Sequence, residues 1–136
     1  MKILSSLVFV FIVSISFAQT TDQKISDVYG EAVLLDMKSN NPGRYKFHVG
    51  MVEKGMVLLT APEDKFLEFP ILDSIPLRSQ TGEKVTILAF LQEYMNQTSF
   101  NALKYGFSAG SDFMYYRLAG TNQVLMIVPQ KEFYTN

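Results

Sequence analysis

The chain has no cysteine and no tryptophan, a single histidine, and charges that nearly cancel, at −1 formal. Without cysteine there is no disulfide, no thiol nucleophile, no thiolate zinc site and no lipid-modified cysteine behind a leader. With His48 alone, a histidine-rich zinc site is excluded, and a Ser–His–Asp arrangement would depend on that one ring. Near-neutral charge leaves no electrostatic footprint for nucleic acid and no polybasic patch for anionic lipid. The glycines are scattered: Gly106 and Gly110 precede neither a lysine nor a βαβ pattern, so no phosphate cradle is present. No Gly-x-Ser-x-Gly turn lies between a strand and a helix, and aspartate-rich calcium loops are missing too. No cofactor is expected.

What is present begins with an export signal. Met1-Lys2 carries one positive charge, Ile3 to Phe17 is almost wholly apolar or serine, and Ser16-Phe17-Ala18 places small residues where a signal peptidase reads. Residues 1–18 are therefore read as a signal peptide cleaved before Gln19. The run is short of the roughly 20 residues a spanning helix wants, and none of that length comes after it, so no stable membrane span is expected after cleavage. A cysteine-free export suggests a bacterial periplasmic or extracellular protein, since small exported animal domains are commonly disulfide-stapled.

Residues 85–96 carry the clearest periodicity. At 100° per residue, Ile87, Leu88, Phe90, Leu91, Tyr94 and Met95 fall on one arc of about 160°. Thr86 is placed as N-cap, with Val85 and Phe90 at hydrophobic-staple spacing. About three helical turns do not hold themselves in water, so this helix needs an apolar surface beneath it.

The rest reads mainly as extended chain. Residues 19–27 form a polar, flexible start to the mature protein, and 28–136 a single domain. Strands are predicted over 28–38, 45–52 and 56–61. A Pro42-Gly43 type II turn joins the first two, and Glu53-Lys54-Gly55 joins the second to the third. Pro62, Pro70 and Pro76 interrupt 62–80, which is expected to pack as edge strands or a covering loop. Ser99–Tyr105 is expected to form a helical turn or two ending at Gly106. A final hairpin joins 112–119 to 124–128. Pairing Ala119 with Val124 puts Tyr116, Leu118, Leu125 and Ile127 on one face. Phe113, Tyr115, Arg117, Met126 and Val128 then lie on the other. The expected class is α+β: an antiparallel sheet, made of an N-terminal three-stranded meander and a C-terminal hairpin, packed against one main helix.

Candidate chemistry is sparse. Asp36 is the candidate partner for His48 in a general-base pair, with Glu31 or another acid as the alternative, but the expected register sets Met37 opposite His48 and turns Asp36 to the other face. Glu63-Asp64 beside Pro62 reads as a solvated turn. Phe113, Tyr115 and Arg117 combine the residue types that anchor interfaces. The leading expectation is an exported, non-enzymatic module that binds a protein or small ligand through this face, with a homo-oligomer also open. The alternatives are a small hydrolase or isomerase using His48 with a carboxylate, and a structural component of the cell envelope.

Overall fold

The computed structural model describes residues 20–134. The expected leader and its cleavage position lie outside them. From Thr21 to Lys54 the chain is three helices, where a flexible start and two extended strands were expected. A capping box starts α1 (Thr21–Tyr29): Thr20 Oγ1 accepts from the Gln23 amide at 3.1 Å, and Gln23 Oε1 accepts from the Thr20 amide at 2.9 Å. Of the expected flexible lead-in, residues 19–27, the described part is thus helix from Thr21 onward, and Gln19 lies outside the described residues. Gly30, at φ +91°, separates α1 from α2 (Glu31–Asn40). Asn41 caps α3 (Pro42–Lys54), its Oδ1 accepting from the Arg44 amide at 3.2 Å, with Pro42 at the first helical position.

The three-stranded meander is therefore corrected. Its first two members are helices, and only the third is a strand, β1 (Met56–Thr60). The Pro-Gly pair read as a turn is a helix start, because proline presets φ equally well for both. One carboxylate ties the three helices together. Asp22 of α1 accepts from Lys38 Nζ of α2 at 2.5 Å and from Tyr45 Oη of α3 at 2.6 Å. These two bonds hold Asp22 below the usual carboxylate range, and the same contact pushes the Tyr45 phenol up to about 12.

Beyond β1 come α4 (Glu63–Phe66), β2 (Ile71–Leu72), β3 (Ser74–Pro76), β4 (Lys84–Thr86), α5 (Ile87–Met95), a 3-10 turn at Ala102–Lys104, β5 (Met114–Leu118), β6 (Gln123–Ile127) and a last 3-10 helix at Gln130–Tyr134. The class is α+β. The main sheet runs β1-β6-β5-β2, antiparallel except for β2, which lies parallel to β5; β3 and β4 form a separate ribbon. The prolines of 62–80 all sit at element boundaries: Pro62 before α4, Pro70 before β2, and Pro76 ending β3.

The final hairpin pairs Arg117 with Val124 and Met114 with Ile127. This register is two residues from the expected one. A shift of two preserves side-chain faces, so the expected division of the hairpin stands. Its inner face, with Leu118, Leu125 and Ile127, packs against α5. That helix starts as expected, Thr86 Oγ1 accepting from the Ala89 amide at 3.1 Å. Its arc is only partly used: Ile87 and Phe90 are buried, Leu91 and Tyr94 half-buried, and Leu88 and Met95 exposed. Tyr94 Oη also accepts from the Leu58 amide at 3.1 Å, which covers part of the free edge of β1.

Two apolar clusters result. One lies between α5 and the sheet; the other joins α1, α2 and α3 to Leu103, Val128 and Phe133. Gly50 of α3 lies so close to Phe133 that a Cβ there would sit 2.3 Å from the first ring carbon. The 102–104 turn stands between the clusters, with Ala102 in the first and Leu103 in the second. Buried Asn101 anchors it. Nδ2 donates to the Lys24 carbonyl of α1 at 2.8 Å, and Oδ1 accepts from the Leu103 amide at 3.1 Å.

Replacing Asn101 with alanine strands the buried Leu103 amide, and we expect a loss of about 1–3 kcal/mol in urea unfolding. Asn101→Asp should cost more at neutral pH, because it sets a carboxylate oxygen against the Lys24 carbonyl. An Asn101→Ala loss below about 0.5 kcal/mol, the level of an ordinary surface change, would deny the amide this role.

Candidate functional site

Helix α3 buries His48. Its Nδ1 donates to the Arg44 carbonyl one turn back at 2.7 Å, which leaves Nε2 as the basic nitrogen. Tyr29 packs edge-on to the imidazole, with centroids 4.7 Å apart, and Phe47 does so at 5.4 Å. Burial holds the histidine below its ordinary value. The Arg44 carbonyl opposes that, while the charges of Arg44 and Arg78 add to it. Asp36 is on α2 with an exposed carboxylate that accepts from Asn40 Nδ2 at 2.7 Å. The strand register that governed this pair does not exist, and the hydrogen bonds of the two residues lead to different partners. Among the described residues, no group of three or more His, Asp or Glu side chains converges to hold a metal.

The structure does bring Phe113, Tyr115 and Arg117 to one surface. Strand register sets Leu59, Val124, Arg117 and Ile71 in a row across the outer face of the sheet, with Val57, Met126 and Tyr115 in the next row. Phe113, two residues before Tyr115, extends the same side. The chain between β1 and β2, which lie at opposite edges of the sheet, returns over part of this face. Phe69 stacks on Tyr115 with centroids 5.1 Å apart and planes 24° apart, and its carbonyl accepts from Arg117 Nε at 2.8 Å. Arg117 is therefore held in place by the strap. The cover is incomplete: Ile71 is 52% exposed, Phe113 41% and Leu59 37%.

A second feature had no sequence signal. Val28 and Tyr29 of α1, the 77–80 segment and the 106–108 segment line a cleft of about 550 Å³. Val28, Leu77, Arg78 and Ser79 also border a neighbouring cleft of about 420 Å³ that reaches Glu83, Glu93, Lys104 and Tyr105. Tyr105 is buried, and its hydroxyl donates to Glu93; burial first, and then this bond, push the phenol well above its ordinary value. These segments are far apart in sequence, and no local spacing marks them as neighbours. No family model, curated protein or solved structure matches the chain.

The lowered His48 pKa gives a signed pH dependence. Between the folded value and about 6.5, the unfolded chain binds more protons than the folded one. Stability is therefore full above about pH 6.5 and falls as pH drops below it. The Asp22 contribution is lost separately, below about pH 4. We expect Tm to fall between pH 7.5 and 5.5 and His48→Gln to flatten that slope; an unchanged slope in the variant would assign it to other groups.

Proposed function

We propose that this chain is an exported, non-catalytic interaction module that docks a partner protein on the outer face of its sheet, in the bacterial periplasm or outside the cell. The observation that carries the reading is the incompletely covered apolar surface formed by Leu59, Ile71 and Phe113 around the stacked Phe69 and Tyr115. The register makes these residues neighbours on a broad face, the form of a protein interface more than of a small-molecule site. Tyr115 and Arg117 supply anchor chemistry, and both are already ordered by Phe69, so little side-chain entropy remains to be lost on docking. The export part rests on the leader sequence, and no helix among the described residues is long and apolar enough to cross a membrane. His48, hydrogen-bonded to a backbone carbonyl and to no carboxylate among the described residues, offers nothing in favour of the hydrolase reading.

The test is site-specific photo-crosslinking in bacteria that make the full-length chain. Probes at Phe113 and Ile71 should give one discrete adduct with another protein, and a probe at the exposed Leu88 of α5 should not. Phe113→Ser should weaken that association about ten-fold or more, as loss of an aromatic anchor does. The exported product should begin at Gln19. A dimer of the chain itself, broken by Phe113→Asp in sedimentation, would assign the face to self-association and overturn the reading. Equal adducts from both faces, no adduct at Phe113 and Ile71, or an uncleaved product would also count against it.

A further inference from the structure

We infer that the cleft between α1 and the 77–80 and 106–108 segments is a binding site for a small organic monocarboxylate with a flat apolar body, separate from the outer face of the sheet. Its size falls within the roughly 300–1,000 Å³ typical of small-molecule sites. It also has the composition of one. Tyr29, Phe107 and Leu77 provide apolar walls, Ser79 and Ser108 provide hydroxyls, and Arg78 provides a single positive charge.

Arg78 is built in more firmly than an ordinary surface arginine. The chain from Pro76 to Arg78 pairs with the chain from Lys104 to Gly106. Arg78 N–H donates to the Lys104 carbonyl at 2.9 Å, Gly106 N–H donates to the Pro76 carbonyl at 2.8 Å, and Leu77 bridges Tyr105. The Arg78 side chain then returns to the same element, Nε donating to the Leu103 carbonyl at 2.9 Å. Backbone and Nε are thus both engaged, while no carboxylate among the described residues pairs with the guanidinium. Its terminal nitrogens remain available as two parallel donors, the arrangement that matches a carboxylate. The close pairing favours glycine at 106, since a Cβ there would lie 3.1 Å from the Leu77 carbonyl oxygen.

The surroundings set the charge of the ligand. Beyond Arg78, the neighbouring cleft carries Glu83 and Glu93 with Lys104. Helix α1 ends at Tyr29 on the wall of the site, and the partial negative charge of its last carbonyls faces that end. One negative charge is matched by Arg78; a second would meet these groups. The cleft also lies where the two apolar clusters meet, with Phe107 from the sheet side and Val28 and Tyr29 from the helical side. An apolar ligand body seated there would touch both.

The experiment uses the mature chain and amide NMR titration with benzoate, and with benzamide as the neutral match. Benzoate should shift Tyr29, Arg78, Phe107 and Ser108 first, and bind more tightly than benzamide. Arg78→Gln should weaken benzoate about ten-fold and leave benzamide unchanged, the loss expected for one charge-assisted contact. Ser108→Phe, at an exposed wall position, should block both probes without moving the unfolding transition; if Arg78→Gln does not fold, this variant decides. The inference fails if millimolar benzoate leaves those four residues unmoved, if benzoate and benzamide bind equally, or if Ser108→Phe leaves benzoate binding intact.

Discussion

A buried side-chain amide holds the two halves of this molecule in one arrangement. Asn101 reaches the Lys24 carbonyl of α1 with one arm and the Leu103 amide with the other. A hydrophobic contact at that place could slide; two hydrogen bonds from a buried amide resist it, because displacement leaves a polar group unpaired. The turn it anchors places Ala102 against the sheet cluster and Leu103 against the helical cluster. That fixed turn then carries the carbonyls of Leu103 and Lys104 that orient Arg78.

The candidate surfaces arise from how apolar area is distributed. Helix α5 and the β3–β4 ribbon cover the inner face of the sheet. Helices α1 to α3 cover Val57 and Met126 on the outer side, and the strap carrying Phe69 covers Tyr115. Between and beyond these covers, Leu59, Ile71 and Phe113 remain in contact with water. On the inner side, the exposed Leu88 and Met95 of α5 show that an apolar residue on the expected arc need not meet the core. The helix rests on the sheet along one edge of the arc, through Ile87 and Phe90, and the other edge turns outward.

Legibility divides along the same physical lines. The α5 start and the hairpin were readable because each is signalled within a few residues: a threonine cap before an apolar stripe, and two β-rich runs around Gly120, which adopts φ +77°. The three N-terminal helices were not. Over eight residues, Tyr45 to Val52 satisfies strand alternation, yet it also places His48 and Met51 three apart on the buried side of a helix. Good helix formers in Glu31–Met37 and the Thr20–Gln23 capping pair were the local signals against strand. Among the site candidates, the grouping of Phe113, Tyr115 and Arg117 was legible from alternation alone. The Arg78 cleft was not, because its walls come from three separate stretches of chain.

By itself, the sequence determined the properties that depend on residue type and short-range spacing. It excluded disulfide and thiol chemistry and histidine-rich metal chemistry, carried the leader pattern on which the export proposal rests, specified an α+β chain with α5 on a sheet, and set the faces of the last hairpin. Only the tertiary structure decided whether the Val- and Leu-bearing N-terminal third is helix or strand, how far the strap covers the outer face, and which residues surround Arg78. Those outcomes depend on contacts between residues dozens of positions apart, where the competing local preferences differ by less than the free energy of burying one large side chain.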